Sequence, residues 1–312
     1  MKKNLLRRIT ALTSSALLCA GACVLFAGCT TNNPEVRITY TFNGKDYEVD
    51  YKLSRLDAPK TVTHFLELAD AGFYDGTCVH DYDGTYYYMG GYKLDETDGA
   101  TDIEPIDYFS VVKSLETEKF QFTQSVWKND ADRTPLYTVY GEFDANGNYP
   151  QNGREFAHEK GALVMYYTDK GNFNERVTTE RNDGGKGNGG NKYDSNKYYK
   201  YNSATSLFYT YTGERLSTKE QNYSVFGKAK NYADQFQPLV DAINEFIEER
   251  TDAESGEETY SFTTEKHVAN VNEYEHAGDP DFEDLYKSDV EATYKVPLDK
   301  PIVIKSVKVT KY

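Results

Sequence analysis

Apolar and polar residues alternate in two neighbouring segments, 36–42 and 47–53, near the start of the chain body. In both segments every second residue is apolar, which is typical of a strand that is buried on one side. Asn43 and Gly44 lie between the segments. Both residue types tolerate the positive φ angles of a tight hairpin turn. The pattern therefore predicts that the body opens with an antiparallel hairpin.

The period changes after residue 57, and a first helix is predicted near 60–70. Its apolar residues recur at helical spacing, namely Val62, Phe65, Leu66 and Ala69. Pro59 suits the first turn of this helix, and Gly72 suits its end. A second helix near 234–249 is predicted by the same spacing of Phe236, Leu239, Val240, Ile243, Phe246 and Ile247.

Strand-like patterns recur through much of the remaining chain, at 120–127, 135–140, 158–169, 205–213, 222–229 and 301–312. Three segments interrupt them. Segment 92–140 holds only scattered strand-like pieces, 170–201 is rich in Gly and Asn and predicts a long loop, and 250–292 is acidic with few order signals. The order of hairpin, helix, strands, helix and last strand predicts a mainly β fold. In that fold antiparallel strands close into a barrel and two α-helices cover its ends.

The first 29 residues predict an export signal that ends at a lipidated cysteine. A basic start is followed by an apolar stretch with small residues, and "LFAGC" resembles a bacterial lipobox whose last residue is Cys29. Residues 30–35 then form a short polar tether. A lipid on Cys29 would hold the protein on the outer face of a bacterial membrane. The alternatives are an ordinary signal peptide, a retained membrane anchor, or cleavage at Cys23.

Composition narrows the class of partner and the way in which the fold is stabilised. The 28 Tyr and 16 Phe mean that aromatic rings supply much of the core. A net charge of −15 disfavours nucleic acid as a partner, since phosphates are repelled. Cys78 is the one cysteine that follows Cys29, so no disulfide is predicted inside the exported body.

Seven short blocks, in this order along the chain, resemble the cyclophilin-type peptidyl-prolyl isomerases. They are "DAPKTVTHFLELADAGFYDGT", His80 followed by Gly90-Gly91 at the family spacing, "YGEFDANG", "HEKGALVM", "NSATSLFYT", "YSVFGKA" and "KPIVIKSVKV". The resemblance spans about residues 36–311 and implies one domain, 36–312, built on an eight-stranded antiparallel barrel with two helices. The segments 92–140, 170–201 and 250–292 are then insertions. It also implies that the partners are Pro-containing segments of exported proteins.

The resemblance further implies which residues line the substrate site, and most of them differ from the family pattern. Asp81 stands where the family has a donor Arg, directly after His80. The other positions carried over are Tyr86 and Tyr87 for a Phe-Met pair, Met89 and Leu207 for two Gln, Tyr166 for a small residue, Tyr209 for a Phe, Leu216 for the pocket Leu, and Tyr223 for a His or Tyr. These residues and His80 are the predicted substrate-binding set.

The exchange of Arg for Asp81 bears directly on catalysis. Rotation about a peptide bond has a barrier of roughly 18–20 kcal/mol, and a catalyst must bind the twisted bond best. The twisted prolyl nitrogen regains a lone pair, which a guanidinium meets with a charge-assisted hydrogen bond. An ionised Asp81 has no proton to donate and repels that lone pair.

Two hypotheses of function follow from this exchange. One is an active isomerase that takes its donor from Arg154, Arg176 or Arg181. The other is a peptide-binding, structural or chaperone-like module with weak or lost catalysis, which the residues favour.

Other chemistry is weakly indicated. Asp144, Asn146, Asn148, Asn152 and Glu155 match calcium-loop spacing, but Tyr149 stands where that loop needs Gly. The five His are scattered, with no zinc-like pair. The prediction is therefore no metal, no cofactor and a monomer.

Overall fold

The computed structural model describes residues 33–82, 85–95, 102–106, 108–117, 120–122, 126–127, 139–140, 142, 155–165, 176–180, 193–198, 203–204, 206–213, 224–251, 255, 263–264, 294–295 and 301–312. All elements below belong to the unit Pro34–Tyr312. The predicted signal segment, the lipobox residue Cys29 and the site residues Tyr166, Leu216 and Tyr223 lie outside the described residues. In the described part of the chain, no helix has the length and apolar character needed to cross a bilayer.

The hairpin predicted at the start of the body is confirmed. Strand β1 (Glu35–Phe42) pairs in register with β2 (Lys45–Leu53), and Phe42 lies opposite Lys45. The turn residues Asn43 and Gly44 have φ angles of 48° and 75°. Both angles lie in the left-handed region that a two-residue turn of this kind requires.

Both predicted helices are also present. Helix α1 (Pro59–Asp70) starts with its proline and ends just before Gly72, whose φ is 75°. A single turn of π-helix, Tyr232–Phe236, leads into the helix Gln237–Glu248. That helix is labelled α3, because an additional helix α2 (Tyr108–Leu115) lies between the two. The sequence patterns missed α2, which falls in the segment 92–140 where only strand-like pieces were expected.

The remaining strands are mostly short. They are β3 (Thr77–Cys78), β4 (Asp81–Tyr82), β5 (Tyr86–Met89), β6 (Tyr92–Asp95), β7 (Asp102–Pro105), β8 (Val126–Trp127), β9 (Val139–Tyr140), β10 (Ala162–Met165), β11 (Arg176–Glu180), β12 (Tyr193–Tyr198), β13 (Ser203–Ala204), β14 (Phe208–Tyr211), β15 (Val225–Ala229), β16 (Thr263–Thr264), β17 (Tyr294–Lys295) and β18 (Val303–Lys311). The main sheet has the order β4-β5-β14-β10-β15-β2-β1-β18-β3-β6-β7.

The segment from Thr77 to Tyr82 closes this sheet into a barrel. The N–H of Val79 donates to the carbonyl of Ile302, next to β18, whereas the N–H of His80 donates to the carbonyl of Tyr88 in β5. The segment therefore changes partner between two successive residues and joins β18 to β5, while β6 and β7 extend the sheet beyond β3. If β3 and β4 are counted separately, the nearly closed antiparallel barrel has nine strands. If they are counted as one interrupted strand, it has the eight that were predicted.

The prediction of a long loop over 170–201 is wrong in part. Strands β11 and β12 pair antiparallel within it, and β8 adds a third strand to this small sheet. The Gly-rich and Asn-rich composition concealed them because β-structure depends on cross-strand partners as well as on local composition.

Aromatic rings close both ends of the barrel interior, as the Tyr and Phe content suggested. Phe65 of α1 contacts Phe226 and Phe208 at centroid distances of 5.0 and 5.4 Å, beside the Leu53 end of the first hairpin. At the turn end of that hairpin, Phe246 of α3 contacts Phe42 at 5.8 Å, and Phe236 contacts Tyr40 at 5.7 Å. Each helix therefore buries an aromatic residue against the strands that it covers.

The amino end of α1 is capped by a residue from a distant part of the chain. The residue before the helix, Ala58, makes no side-chain cap. Instead, the carboxylate of Glu142 accepts the N–H groups of Lys60 (3.0 Å) and Thr61 (2.9 Å). Glu142 is 5% exposed. Burial raises the pKa of Glu142, while the donors of Thr61 and Lys60 act against that rise.

We expect Glu142→Ala to lower the free energy of unfolding by about 1–3 kcal/mol, because two N–H groups at the start of α1 lose their acceptor. Urea unfolding of the full chain measures the change. Glu245→Ala, at an exposed position of α3, is the matched control and should fall within about 0.5 kcal/mol of the unmodified protein. Equal effects of the two changes would contradict the capping role.

Candidate functional site: a tyrosine cluster on the outer barrel face

Strand β5 presents different residues to the two faces of the barrel wall. Tyr87 and Met89 are fully buried in the main core inside the barrel. Their neighbours Tyr86 and Tyr88 are half-buried and pack instead with a second cluster of buried residues. The split follows from the period of two in a strand. The outer face of β5 therefore carries two tyrosine rings that remain partly open to solvent.

Four tyrosines of β5 and β14 pack together on this outer face, and we call Tyr86, Tyr88, Tyr209 and Tyr211 the tyrosine cluster. Ring centroids are 4.7 Å apart for Tyr86 and Tyr88, 5.0 Å for Tyr88 and Tyr209, and 5.5 Å for Tyr209 and Tyr211. These separations lie within the favourable range for aromatic pairs, and the tilted or edge-on ring planes suit the ring quadrupoles.

The tyrosine cluster has a rigid base. Tyr209 and Tyr211 are each 1% exposed and pack with Ala162, Val164 and Val225 of the adjoining strands β10 and β15. The hydroxyl of Tyr211 also lies 3.3 Å from Nδ1 of His158, in hydrogen-bonding range. Because Tyr209 and Tyr211 are buried by these contacts, Tyr86 and Tyr88 form the accessible part of the tyrosine cluster.

Phe156 packs against the same buried cluster as Tyr86 and Tyr88, and its ring is half-buried. Neither it nor Tyr88 was among the predicted site residues. Strand alternation contained the signal for Tyr88, because Tyr86 and Tyr88 are two residues apart. No sequence signal indicated Phe156.

His80 is placed behind the tyrosine cluster and not on an exposed surface. It is 4% exposed, and its ring stacks on Tyr92 at 4.4 Å with an interplanar angle of 29°. The ring of Tyr88 lies 6.4 Å away on centroids. Burial lowers the pKa of His80 to about 3, so the imidazole is neutral at ordinary pH. In this structure His80 supports neighbouring rings.

The backbone of Asp81 is in register with the tyrosine cluster. Asp81 of β4 lies opposite Tyr88 of β5, and Tyr88 lies opposite Tyr209 of β14. Three adjacent strands thus align Asp81 with two members of the tyrosine cluster.

Three other predicted site residues contribute to the barrel core. Tyr87, Met89 and Leu207 all belong to the main buried cluster. The thioether of Met89 lies 4.0 Å from the hydroxyl of Tyr40, which donates to it. Residues in these positions cannot contact a ligand on the outer face, so only Tyr86 and Tyr209 of the described set lie together there.

Gly90 lets β5 and β14 approach closely at the edge of the tyrosine cluster. Its φ is 88°, and a Cβ on it would lie 2.3 Å from the carbonyl oxygen of Ser206. Neither the backbone conformation nor the available space admits another residue type. The first glycine of the Gly-Gly pair therefore has a steric role next to Met89 and Phe208.

The arginines whose contacts are described serve other parts of the fold. Arg37 forms a bidentate ion pair with Asp50, with nitrogen–oxygen distances of 2.7 and 3.1 Å. The guanidinium of Arg250 lies 3.8 Å from the ring centroid of Phe246. Of the three proposed substitute donors, Arg154 and Arg181 lie outside the described residues, and Arg176 is placed on strand β11.

No group of three or more potential metal ligands occurs among the residues that the structure describes. Of the calcium-loop pattern, only Glu155 is described. Its carboxylate binds Lys52 at 2.6 Å and accepts the hydroxyl of Ser54 at 2.9 Å. In this arrangement Glu155 connects its own segment to the end of β2 and the turn that follows it.

No model of a protein family matches the chain, and no curated protein matches it. Among solved structures, a cyclophilin-type peptidyl-prolyl cis-trans isomerase from Cryptosporidium parvum matches with 17% identity and a TM-score of 0.37, over 90% of this chain and 99% of that chain. The same isomerase crystallised in the presence of the dipeptide Ala-Pro matches with 16% identity and a TM-score of 0.34, over 89% and 99%. The Mimivirus cyclophilin matches with 15% identity and a TM-score of 0.34, over 73% and 84%.

We expect the neutral, buried His80 to make the folded state sensitive to acid. The unfolded chain takes up a proton near the ordinary pKa of about 6.5, whereas the folded chain does so only near pH 3. This contribution to stability is complete above about pH 6.5 and is lost as the pH falls toward 3, by at most about 1.4 kcal/mol per pH unit. Urea unfolding between pH 4.5 and 7 should show a flatter profile for His80→Phe.

Tyr92→Phe is the control for this experiment, because it keeps the stacked ring and leaves the imidazole in place. For Tyr92→Phe, the slope of the free energy of unfolding against pH should equal that of the unmodified protein. If His80→Phe also kept the full slope, His80 would not be the group that titrates.

Proposed function

We propose that the chain is a lipid-anchored, cyclophilin-like module that binds Pro-containing segments of exported proteins on the outer face of a bacterial membrane. We further propose that it is a peptidyl-prolyl isomerase of much reduced activity, or one that has lost catalysis. The observation that carries the proposal is the tyrosine cluster, which lies in register with Asp81.

The tyrosine cluster has the chemistry of a proline-binding surface. Proline-rich segments dock against aromatic rings, because their extended conformation loses little entropy on binding. Tyr86 and Tyr88 offer partly exposed rings above a base formed by Tyr209 and Tyr211. A base that is already packed does not have to be ordered when a peptide binds, and this lowers the cost of association.

The same site lacks the usual means of stabilising a twisted prolyl bond. Asp81, which the sequence resemblance aligns with the family donor, lies opposite Tyr88, and an ionised carboxylate cannot donate a hydrogen bond to the prolyl nitrogen. The two family Gln positions are Met89 and Leu207, and both lie in the core. The loss of one preorganised donor typically reduces the rate about 10²- to 10³-fold. Binding without efficient isomerisation is the expected result.

We expect prolyl isomerase activity at least about a hundredfold below that of a typical cyclophilin, following the cost of a lost donor. The measurement is a protease-coupled assay on an Ala-Pro peptide, with the purified full-length protein in detergent. Asp81→Arg should restore part of the activity but not all of it, because both former Gln positions remain apolar.

Asp75→Arg makes the same change of charge in the exposed turn before β3 and should leave the activity unchanged. Family-level turnover in the unmodified protein would contradict reduced catalysis. It would favour a donor from Arg154, Arg176 or Arg181, which single Arg→Lys variants would identify.

The membrane anchor is supported by the basic and apolar start of the chain, the near-lipobox around Cys29, and the absence of other cysteines except Cys78 in the body that follows it. Cys78 is itself buried and not in a disulfide. A lipid chain would keep the protein at the membrane surface, where exported segments emerge.

We expect Cys29→Ala to abolish incorporation of a labelled fatty acid when the full gene product is expressed in a bacterial host. Cys23→Ala should leave the label in place. Unchanged labelling in Cys29→Ala would overturn the lipobox interpretation, and loss of label in Cys23→Ala alone would move the anchor to that residue.

A further inference from the structure

A buried carboxylate fixes the segment that carries Phe156. Asp57 lies in the turn before α1 and is 3% exposed. Its Oδ2 accepts the N–H of Glu155 at 2.9 Å and the N–H of Phe156 at 3.3 Å, and its Oδ1 accepts the N–H of Glu155 at 3.1 Å. A carboxylate that receives successive backbone N–H groups makes strong, charge-assisted hydrogen bonds. The path of the backbone at Phe156 is therefore set by Asp57.

The segment around Glu155 also accepts hydrogen bonds from the segment that precedes α1. Glu155 accepts the hydroxyl of Ser54 at 2.9 Å and the ammonium of Lys52 at 2.6 Å. The hydroxyl oxygen of Ser54 in turn accepts the N–H of Asp57 at 3.1 Å. The hydrogen bonds form a closed circuit through Ser54, Asp57 and Glu155. A circuit in which each member holds the next is stiffer than a single bond between two loops.

The circuit fixes the backbone of a residue whose ring packs against the same buried cluster as Tyr86 and Tyr88. The side chain of Phe156 stays partly open to solvent. The ammonium of Lys52 lies 5.8 Å from the centre of the ring, within the range of a cation–π contact. An aromatic side chain that is held on one side and open on the other suits a binding contact, because little motion is lost when a ligand covers it.

We propose that Phe156 binds an apolar or aromatic side chain that neighbours the proline of a bound peptide, and that Asp57 is the positioning residue for this contact. The inference rests on the proposed function, since it assigns a specificity to the same surface. The tyrosine cluster holds the prolyl ring, and Phe156 selects among Pro-containing segments by the residue beside it. A second apolar contact raises affinity for peptides with a large apolar side chain and not for those with glycine.

The test compares two peptides, Ala-Phe-Pro-Phe and Ala-Gly-Pro-Gly, by calorimetric titration of the full-length protein in detergent. The unmodified protein should bind the Phe peptide at least about tenfold more tightly. Phe156→Ala should remove most of this preference and leave affinity for the Gly peptide within about twofold. Phe156→Leu should keep part of it, because an apolar side chain remains.

Asp57→Ala should also reduce the preference and should speed hydrogen exchange at the amides of Glu155 and Phe156. Asp57→Asn keeps a carbonyl oxygen at the same place. It should recover most of the peptide preference and most of the protection of the two amides from hydrogen exchange. The control is Asp75→Ala, which removes another carboxylate that accepts a backbone N–H, from Val307 at 3.3 Å. It should leave the preference unchanged. If Asp57→Ala does not fold, the two Phe156 variants decide the assignment of the contact.

Each outcome has a distinct meaning. Binding of both peptides with equal affinity, or a preference that survives Phe156→Ala, would overturn the inference and leave the proposed function intact. Binding of neither peptide by the unmodified protein would overturn the proposed function and the inference with it. A preference that is lost in Phe156→Ala but kept in a folded Asp57→Ala would overturn the positioning role of Asp57.

Discussion

The barrel depends on a change of hydrogen-bond partner between Val79 and His80. The segment Thr77–Val79 pairs with β18 and with Ile302 just before it, and from His80 onward the chain pairs with β5. An open sheet of these strands would leave β18 and β5 as unpaired edges, and this segment pairs with both of them. The same switch brings Asp81 into register with Tyr88 and Tyr209. The constraint that closes the fold therefore also aligns the candidate site.

Alternate residues of strand β5 belong to the barrel core and to the tyrosine cluster on the outer face. Tyr87 and Met89 lie in the barrel interior, where the hydroxyls of Tyr40 and Tyr51 lie 3.0 Å apart and the Tyr40 hydroxyl reaches the sulfur of Met89. Tyr86 and Tyr88 face outward and contact Tyr209 at 5.8 and 5.0 Å. Aromatic residues suit both faces, because a strand with rings on each side packs well against a core and against a ligand. The abundance of tyrosine alone does not tell which ring belongs to which face.

Local patterns predicted the hairpin, both long helices and the mainly β barrel, because periods of 2 and 3.6 residues and turn chemistry act over a few residues. Tyr87 was placed in the site by resemblance, although strand alternation assigns it and Tyr86 to opposite faces. Helix α2 lies in a segment where only strand-like pieces were expected, and the β11–β12 pair lies in a segment whose composition predicted a loop. Phe156 escaped prediction for a different reason. Its position depends on Asp57, 99 residues earlier in the chain, and no local pattern reports a contact of that range.

Two buried carboxylates share one way of attaching distant segments to this barrel. Glu142 accepts N–H groups from the first turn of α1, and Asp57, just before α1, accepts N–H groups from Glu155 and Phe156. Both attachments meet at the amino end of one helix, where backbone donors are unsatisfied and negative charge is favoured. The entropic cost of closing a loop grows slowly with its length. A few charge-assisted hydrogen bonds at the ends of long segments are therefore enough to fix them. In a body for which no internal disulfide is predicted, such bonds hold distant segments together as disulfides do in other proteins, and one of them positions the backbone of Phe156.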